Sequence, residues 1–114
     1  MKLNLQRVGT YIPEWNANRE LPEEEQIKVD FTYITANEKE SFTQGVGDNY
    51  ATLAKKVWLK NVKKIHNLDV IVDGDVVNAT PENLLNLPDT WDLYVEVATH
   101  IFNASSLNKK QVKN

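Results

Sequence analysis

Ile27-Lys28-Val29-Asp30-Phe31-Thr32-Tyr33, followed almost at once by Thr35-Ala36-Asn37-Glu38, decides the fold class of this chain. In the first stretch Ile27, Val29, Phe31 and Tyr33 fall on one side, and Lys28, Asp30 and Thr32 on the other. A period of two marks a strand with one face buried, and the β-branched and aromatic residue types agree with it. In the second stretch a threonine stands three residues before a glutamate. That spacing lets hydroxyl and carboxylate satisfy each other's free backbone amides at a helix start. A strand running straight into a helix predicts an α+β domain.

Working downstream, the first helix ends near Gly45 and Gly47, and Asp48 is placed to cap a longer one reaching about Ile65. In that second helix Tyr50, Leu53, Ala54, Val57, Trp58, Val62 and Ile65 recur at helical spacing. Lys55, Lys56, Lys60 and Lys63 point elsewhere, and Lys63 and Lys64 suit the negative end of a helix dipole. Val70-Ile71-Val72-Asp73-Gly74-Asp75-Val76-Val77 predicts a tight hairpin, because Asp-Gly tolerates the positive φ angles of a type I′ turn. Thr80-Pro81-Glu82 starts a short helix, with a capping threonine and a proline in the first turn. Pro88-Asp89 separates it from a last helix, Thr90 to about Ala104.

Upstream, residues 1–26 read as extended and irregular, interrupted by Gly9 and Pro13, and residues 108–114 as a frayed tail. The expectation is one domain over residues 1–114, with about four helices and a small antiparallel sheet including the Asp-Gly hairpin. An all-helical domain with one hairpin is the alternative.

Composition narrows the function classes. A chain of 114 residues, 41% hydrophobic and 25% charged, can bury one core and is not disordered throughout. Its net charge of −3 gives no electrostatic reason to expect nucleic acid. The absence of cysteine removes disulfides, thiol nucleophiles and cysteine zinc sites. The residues Met1 to Arg7 do not read as a signal peptide, and no run approaches the roughly 18 apolar residues of a membrane span. A soluble cytoplasmic protein is expected, with no membrane contact.

The residues that could carry chemistry favour structural readings. His66 is expected at a helix end and His100 one turn after Glu96, neither in a metal-ligand spacing. Asp69, Asp73 and Asp75 lack the distant glutamate that closes a calcium loop. Glu23-Glu24-Glu25 reads as a solvated charge run, and Gly45-Val46-Gly47 is too short to cradle a phosphate. No catalytic residue, metal or cofactor is expected. Five lysines between Lys55 and Lys64, with Trp58 nearby, allow a second reading as a small nucleic-acid-binding regulator. Nucleic-acid binding through them would weaken steeply with salt, whereas an apolar contact would not.

The apolar residues point instead to protein binding. On the last helix Trp91, Leu93, Tyr94, Val95, Val97, Ala98, Ile101 and Phe102 cover an arc of ~200°, about twice the usual stripe. Either the helix is packed on both sides, or the flank of Trp91, Val95 and Phe102 waits for a partner subunit or client. Leu59, stranded among lysines, hints at the second. Tyr11, Ile12 and Trp15 in the N-terminal segment either wrap the domain's own core or await a partner.

Ile12-Pro13-Glu14-Trp15-Asn16-Ala17-Asn18-Arg19-Glu20-Leu21-Pro22, Ile27-Lys28-Val29 and Thr35-Ala36-Asn37-Glu38 resemble the opening of small proteins from tailed bacteriophages and prophages. Thr80-Pro81-Glu82-Asn83-Leu84-Leu85 and Leu93-Tyr94-Val95-Glu96-Val97, running into Ser105-Ser106-Leu107, are similar as well. The group is that of the phage tail assembly chaperones and related tail accessory proteins, and the likeness covers most of the chain. It implies a non-catalytic helper that binds tape measure or tail tube protein, often as a homo-oligomer. Members of that group can be largely helical, so the strands read here depart from it.

Overall fold

The computed structural model describes residues 2, 7–44 and 49–105 of the chain. The alternating stretch forms β2 (Lys28–Thr32), with Val29 and Phe31 buried and Lys28, Asp30 and Thr32 half-buried. On one side it pairs antiparallel with β1 (Val8–Tyr11), on the other with β3 (Val62–His66). The strand β1 lies inside the segment that reads as irregular from sequence. Gly9 does not interrupt it; Gly9 faces Phe31 across the ladder, and a Cβ there would come within 2.8 Å of the Phe31 ring. The glycine makes room for the aromatic.

The Thr35–Glu38 capping box is present and opens α1 (Ala36–Thr43). The next helix, α2, spans Tyr50–Asn61 and is capped by the Asn49 side chain. The expected cap, Asp48, lies outside the described residues. The expectation that this helix continues to Ile65 is corrected: it stops at Asn61, and Val62–His66 is strand. Asn61 is buried and its amide donates to the Thr32 carbonyl and hydroxyl, tying the helix end to β2. A register shift follows: Phe31 pairs with Val62 but Asp30 with Lys64, leaving Lys63 as the extra residue. The bulge turns Lys63 and Lys64 outward together and returns Ile65 to the core, three residues after Val62. A spacing of three on a bulged strand imitates a helix.

The Asp-Gly hairpin forms as a second, two-stranded sheet, β4 (Asp69–Val72) and β5 (Asp75–Asn78). Asp73 and Gly74 both take positive φ, 51° and 86°, as a type I′ turn requires. Thr80 and Asn83 cap each other at α3 (Pro81–Leu84), which has proline in its first turn. The last helix, α4, spans Trp91–Ala104. Thr90 precedes it without capping it; its hydroxyl donates 2.6 Å to the Leu84 carbonyl and holds the loop instead.

The helices α2 and α4 pack against each other and cover one face of the three-stranded sheet. Trp58, Phe31, Ile65, Leu93, Ile101, Val29, Val57 and Val97 are its largest fully buried apolar side chains. The Trp58 indole donates 2.8 Å to the Pro81 carbonyl, so the ring buries its apolar body without orphaning its N–H. The fold is α+β, with four α-helices, two short 3-10 segments (Trp15–Glu20 and Glu23–Glu25) and two antiparallel sheets among the described residues. Among them no helix is long and apolar enough to cross a membrane.

Candidate protein interface

Of the sequence-derived candidates, Tyr11 and Trp15 are committed inside the molecule. Glu96, on α4, accepts three hydrogen bonds from that segment: the Tyr11 hydroxyl at 2.7 Å, the Glu14 amide at 2.7 Å and the Trp15 amide at 3.1 Å. The Tyr11 ring stacks on His100, with centroids 4.1 Å apart, and the Arg19 guanidinium lies 5.6 Å from its centre. Burial, reinforced by the Glu96 hydrogen bond and charge, pushes the Tyr11 hydroxyl up to about 12. Burial holds His100 below its usual value, aided by the nearby Arg19 cation and opposed by Glu96.

Asn18 completes the attachment. Its buried amide donates to the Pro13 and Ile27 carbonyls and its oxygen accepts the Ile27 amide at 2.6 Å. Two successive residues before it, Asn16 and Ala17, take the left-handed conformation, which aims Asn18 inward. Of the two readings of Tyr11, Ile12 and Trp15, the structure supports wrapping of the domain's own core.

The flank on α4 divides. Trp91 is 54% exposed, with its ring edge-on to Tyr94. Val95 and Phe102 are partly buried against the core, and the Lys39 ammonium of α1 stands 5.5 Å from the Phe102 ring centre. Leu59, on α2, is 39% exposed. Beside Trp91 an open depression of about 230 Å³ is bordered by Lys55, Leu87 and Asp89.

The lysines do not share one helical face. Lys55, Lys56 and Lys60 belong to α2, Lys63 and Lys64 to the bulged strand β3. His66 is likewise not at a helix end, a second correction that follows from the same bulge. It ends β3, and its Nε2 sits 2.7 Å from Asp30 Oδ2, while the Thr10 hydroxyl donates to Asp30 Oδ1. The His66 and Thr10 hydrogen bonds hold the Asp30 carboxyl below its usual range against a smaller opposing effect of burial. This is a cross-strand network joining β1, β2 and β3. Among the described residues, no group of three or more histidine, cysteine, aspartate or glutamate residues could hold a metal ion.

A further exposed aliphatic surface lies on the hairpin, which the sequence predicted as structure but did not mark as a binding surface. Ile71 and Val76 face each other across the β4–β5 ladder, and both are 69% exposed. Val72 and Val77 are exposed as well, while Val70 alone of the hairpin valines is buried. The signal was present in the residues. Val70-Ile71-Val72 and Val76-Val77 do not alternate with polar residues, so both faces of the hairpin are apolar. Two strands with one face on the domain have nothing left to cover the other.

Compared with known proteins, the chain matches no family model, no curated protein and no solved structure.

Proposed function

We propose that this chain is a non-catalytic accessory protein that binds another protein, and that its clients are phage tail proteins of the kind the sequence resemblance implies, a tape measure or tail tube subunit. The observation that carries the protein-binding reading is the exposed Ile71–Val76 pair on a two-stranded sheet. An apolar cross-strand pair standing in water gains from being covered, at ~25 cal/mol for each Å² removed from solvent. Trp91 adds an exposed aromatic of the type enriched at binding hot spots.

The titratable groups with shifted protonation also support a non-catalytic reading, because each is used internally. Asp30 joins strands, and Tyr11 and His100 hold the N-terminal segment on α4. None is left aimed at an open cleft, where a perturbed group would suggest catalysis.

Co-expression with a long, coiled-coil-forming tape measure protein tests the reading. The wild-type chain is expected to keep that protein in the soluble fraction, and Ile71→Ser/Val76→Ser to fail while remaining folded by circular dichroism. A tape measure or tube protein equally soluble with and without the chain overturns the tail assignment.

A further inference from the structure

The bare hairpin has a chemistry that selects its occupant. In a two-residue hairpin the residues flanking the turn, Val72 and Asp75, exchange backbone hydrogen bonds, and the pairs then alternate. The bond from the Ala79 amide to the Leu68 carbonyl, 2.8 Å, shows that this alternation continues to the base. Ile71 and Val76 therefore form a pair whose backbone N–H and C=O groups point away from each other, to the outer edges of β4 and β5. The two most exposed large hydrophobic residues of the hairpin also present outward backbone groups.

Charge decides what such an edge accepts. Asp69 opens β4, Asp73 sits in the turn and Asp75 opens β5. Among the described residues none of them forms an ion pair, and the sequence contains no lysine or arginine between Ile65 and Asn108. A second copy pairing edge to edge or face to face would bring aspartates against aspartates, and like charges at an interface cost affinity and on-rate. Short acidic strands resist their own kind, as natural sheet edges do. The same three carboxylates attract a cationic strand.

We propose that the β4–β5 hairpin is a docking site for an extended protein segment that alternates apolar and basic residues. The segment adds as a strand, its backbone meeting the outward groups at Val76, its apolar side chains covering the Ile71–Val76 pair and its cations falling on the opposite face, toward Asp75 and the Asp73 turn, within the field that Asp69 adds. This deepens the protein-binding reading given above and rests on it.

The test uses two fluorescent octapeptides, one alternating lysine and valine and one alternating glutamate and valine, followed by anisotropy against the full chain at roughly 50 mM salt. The lysine peptide is expected to bind at least about tenfold tighter than the glutamate peptide. Ile71→Ser/Val76→Ser is expected to weaken it by about tenfold or more. A triple variant, Asp69→Lys/Asp73→Asn/Asp75→Lys, is expected to reverse the preference; asparagine is chosen at position 73 because it tolerates the positive φ there. Circular dichroism and the unfolding midpoint establish that each variant is folded.

Equal binding of the two peptides, or binding unchanged in the triple variant, overturns the proposal. So does a wild-type dimer in sedimentation that Ile71→Ser/Val76→Ser dissolves, since a second copy is then the occupant. If the peptides are not distinguished but the serine variant still loses its tape measure client, the protein-binding reading stands and only the basic-strand chemistry falls.

Discussion

The three-stranded sheet and the β4–β5 hairpin are made of the same residue types and end in opposite surroundings. Val29 and Phe31 of β2 are buried beneath α2 and α4, whereas Ile71 and Val76 project into solvent. Nothing in the side chains themselves separates them, since all four are branched or aromatic residues of high strand propensity. The difference is the layer above. A strand's apolar side is core only where another element arrives to cover it, and the helices arrive over one sheet alone.

That contrast can be broken at its buried end first. Trp58→Ala removes the largest side chain between helix and sheet and is expected to cost ~3–5 kcal/mol in urea unfolding. A loss comparable to a surface substitution would mean that the core described here is not what holds the sheet. Next in size, Glu96→Ala leaves the Tyr11 hydroxyl and the Glu14 and Trp15 amides without their acceptor. A cost of about 2–3 kcal/mol is expected, with the amides of Glu14 and Trp15 exchanging hydrogen fastest among those affected. Gly9→Ala forces a methyl against the Phe31 ring. After the opposing gain from a stiffer unfolded chain, about 1 kcal/mol of destabilisation should remain.

Acid and alkali sharpen the comparison through groups outside the hairpin. His100 protonates near 6.5 in an unfolded chain but lower in the fold. As pH falls below 6.5 the unfolded state therefore binds a proton the folded state resists, and stability declines; His100→Gln should flatten that limb. Asp30, held low, adds a further loss beneath about 3.8 as its His66 and Thr10 bonds are titrated away. Tyr11 acts in the other direction. Its folded value near 12 lies above the ordinary 10.0, so stability is intact below pH 10 and declines above it, and Tyr11→Phe should remove that decline. Smallest of all, Ile71→Ser/Val76→Ser should move the unfolding midpoint by no more than roughly 0.5 kcal/mol equivalent, because those side chains are already in water. A large effect would show that the hairpin face is covered in the isolated chain.

Much of this architecture was legible where a local rule has a local cause. The Thr35–Glu38 box, the Asp73-Gly74 turn and the Thr80-Pro81 helix start each need only neighbouring residues, and each stands where the spacing puts it. The β3 strand was not legible, because the bulge at Lys63 gives Val62 and Ile65 a helical separation. Nor was β1, since Gly9 is explained only by the ring of Phe31, far along the chain. Among the proposed binding residues, Trp91 and Leu59 are open, Val95 and Phe102 are partly packed, and Tyr11 and Trp15 are tied to Glu96. Periodicity marks which residues are apolar. It does not tell which of two apolar faces the tertiary structure leaves uncovered, and so Ile71 and Val76 passed as ordinary hairpin residues.

The clamp at Glu96 has a consequence in time. Its three bonds join residues 85, 82 and 81 positions apart in the chain, whereas the β4–β5 turn closes over two. During synthesis at roughly 5–20 residues per second, Tyr11 and Trp15 emerge several seconds before the carboxylate that receives them exists. Hairpins close within microseconds. One of the first parts of the domain to be made is thus among the last to lock, and through that interval the Tyr11 hydroxyl and the Glu14 and Trp15 amides ride on the nascent chain without their acceptor.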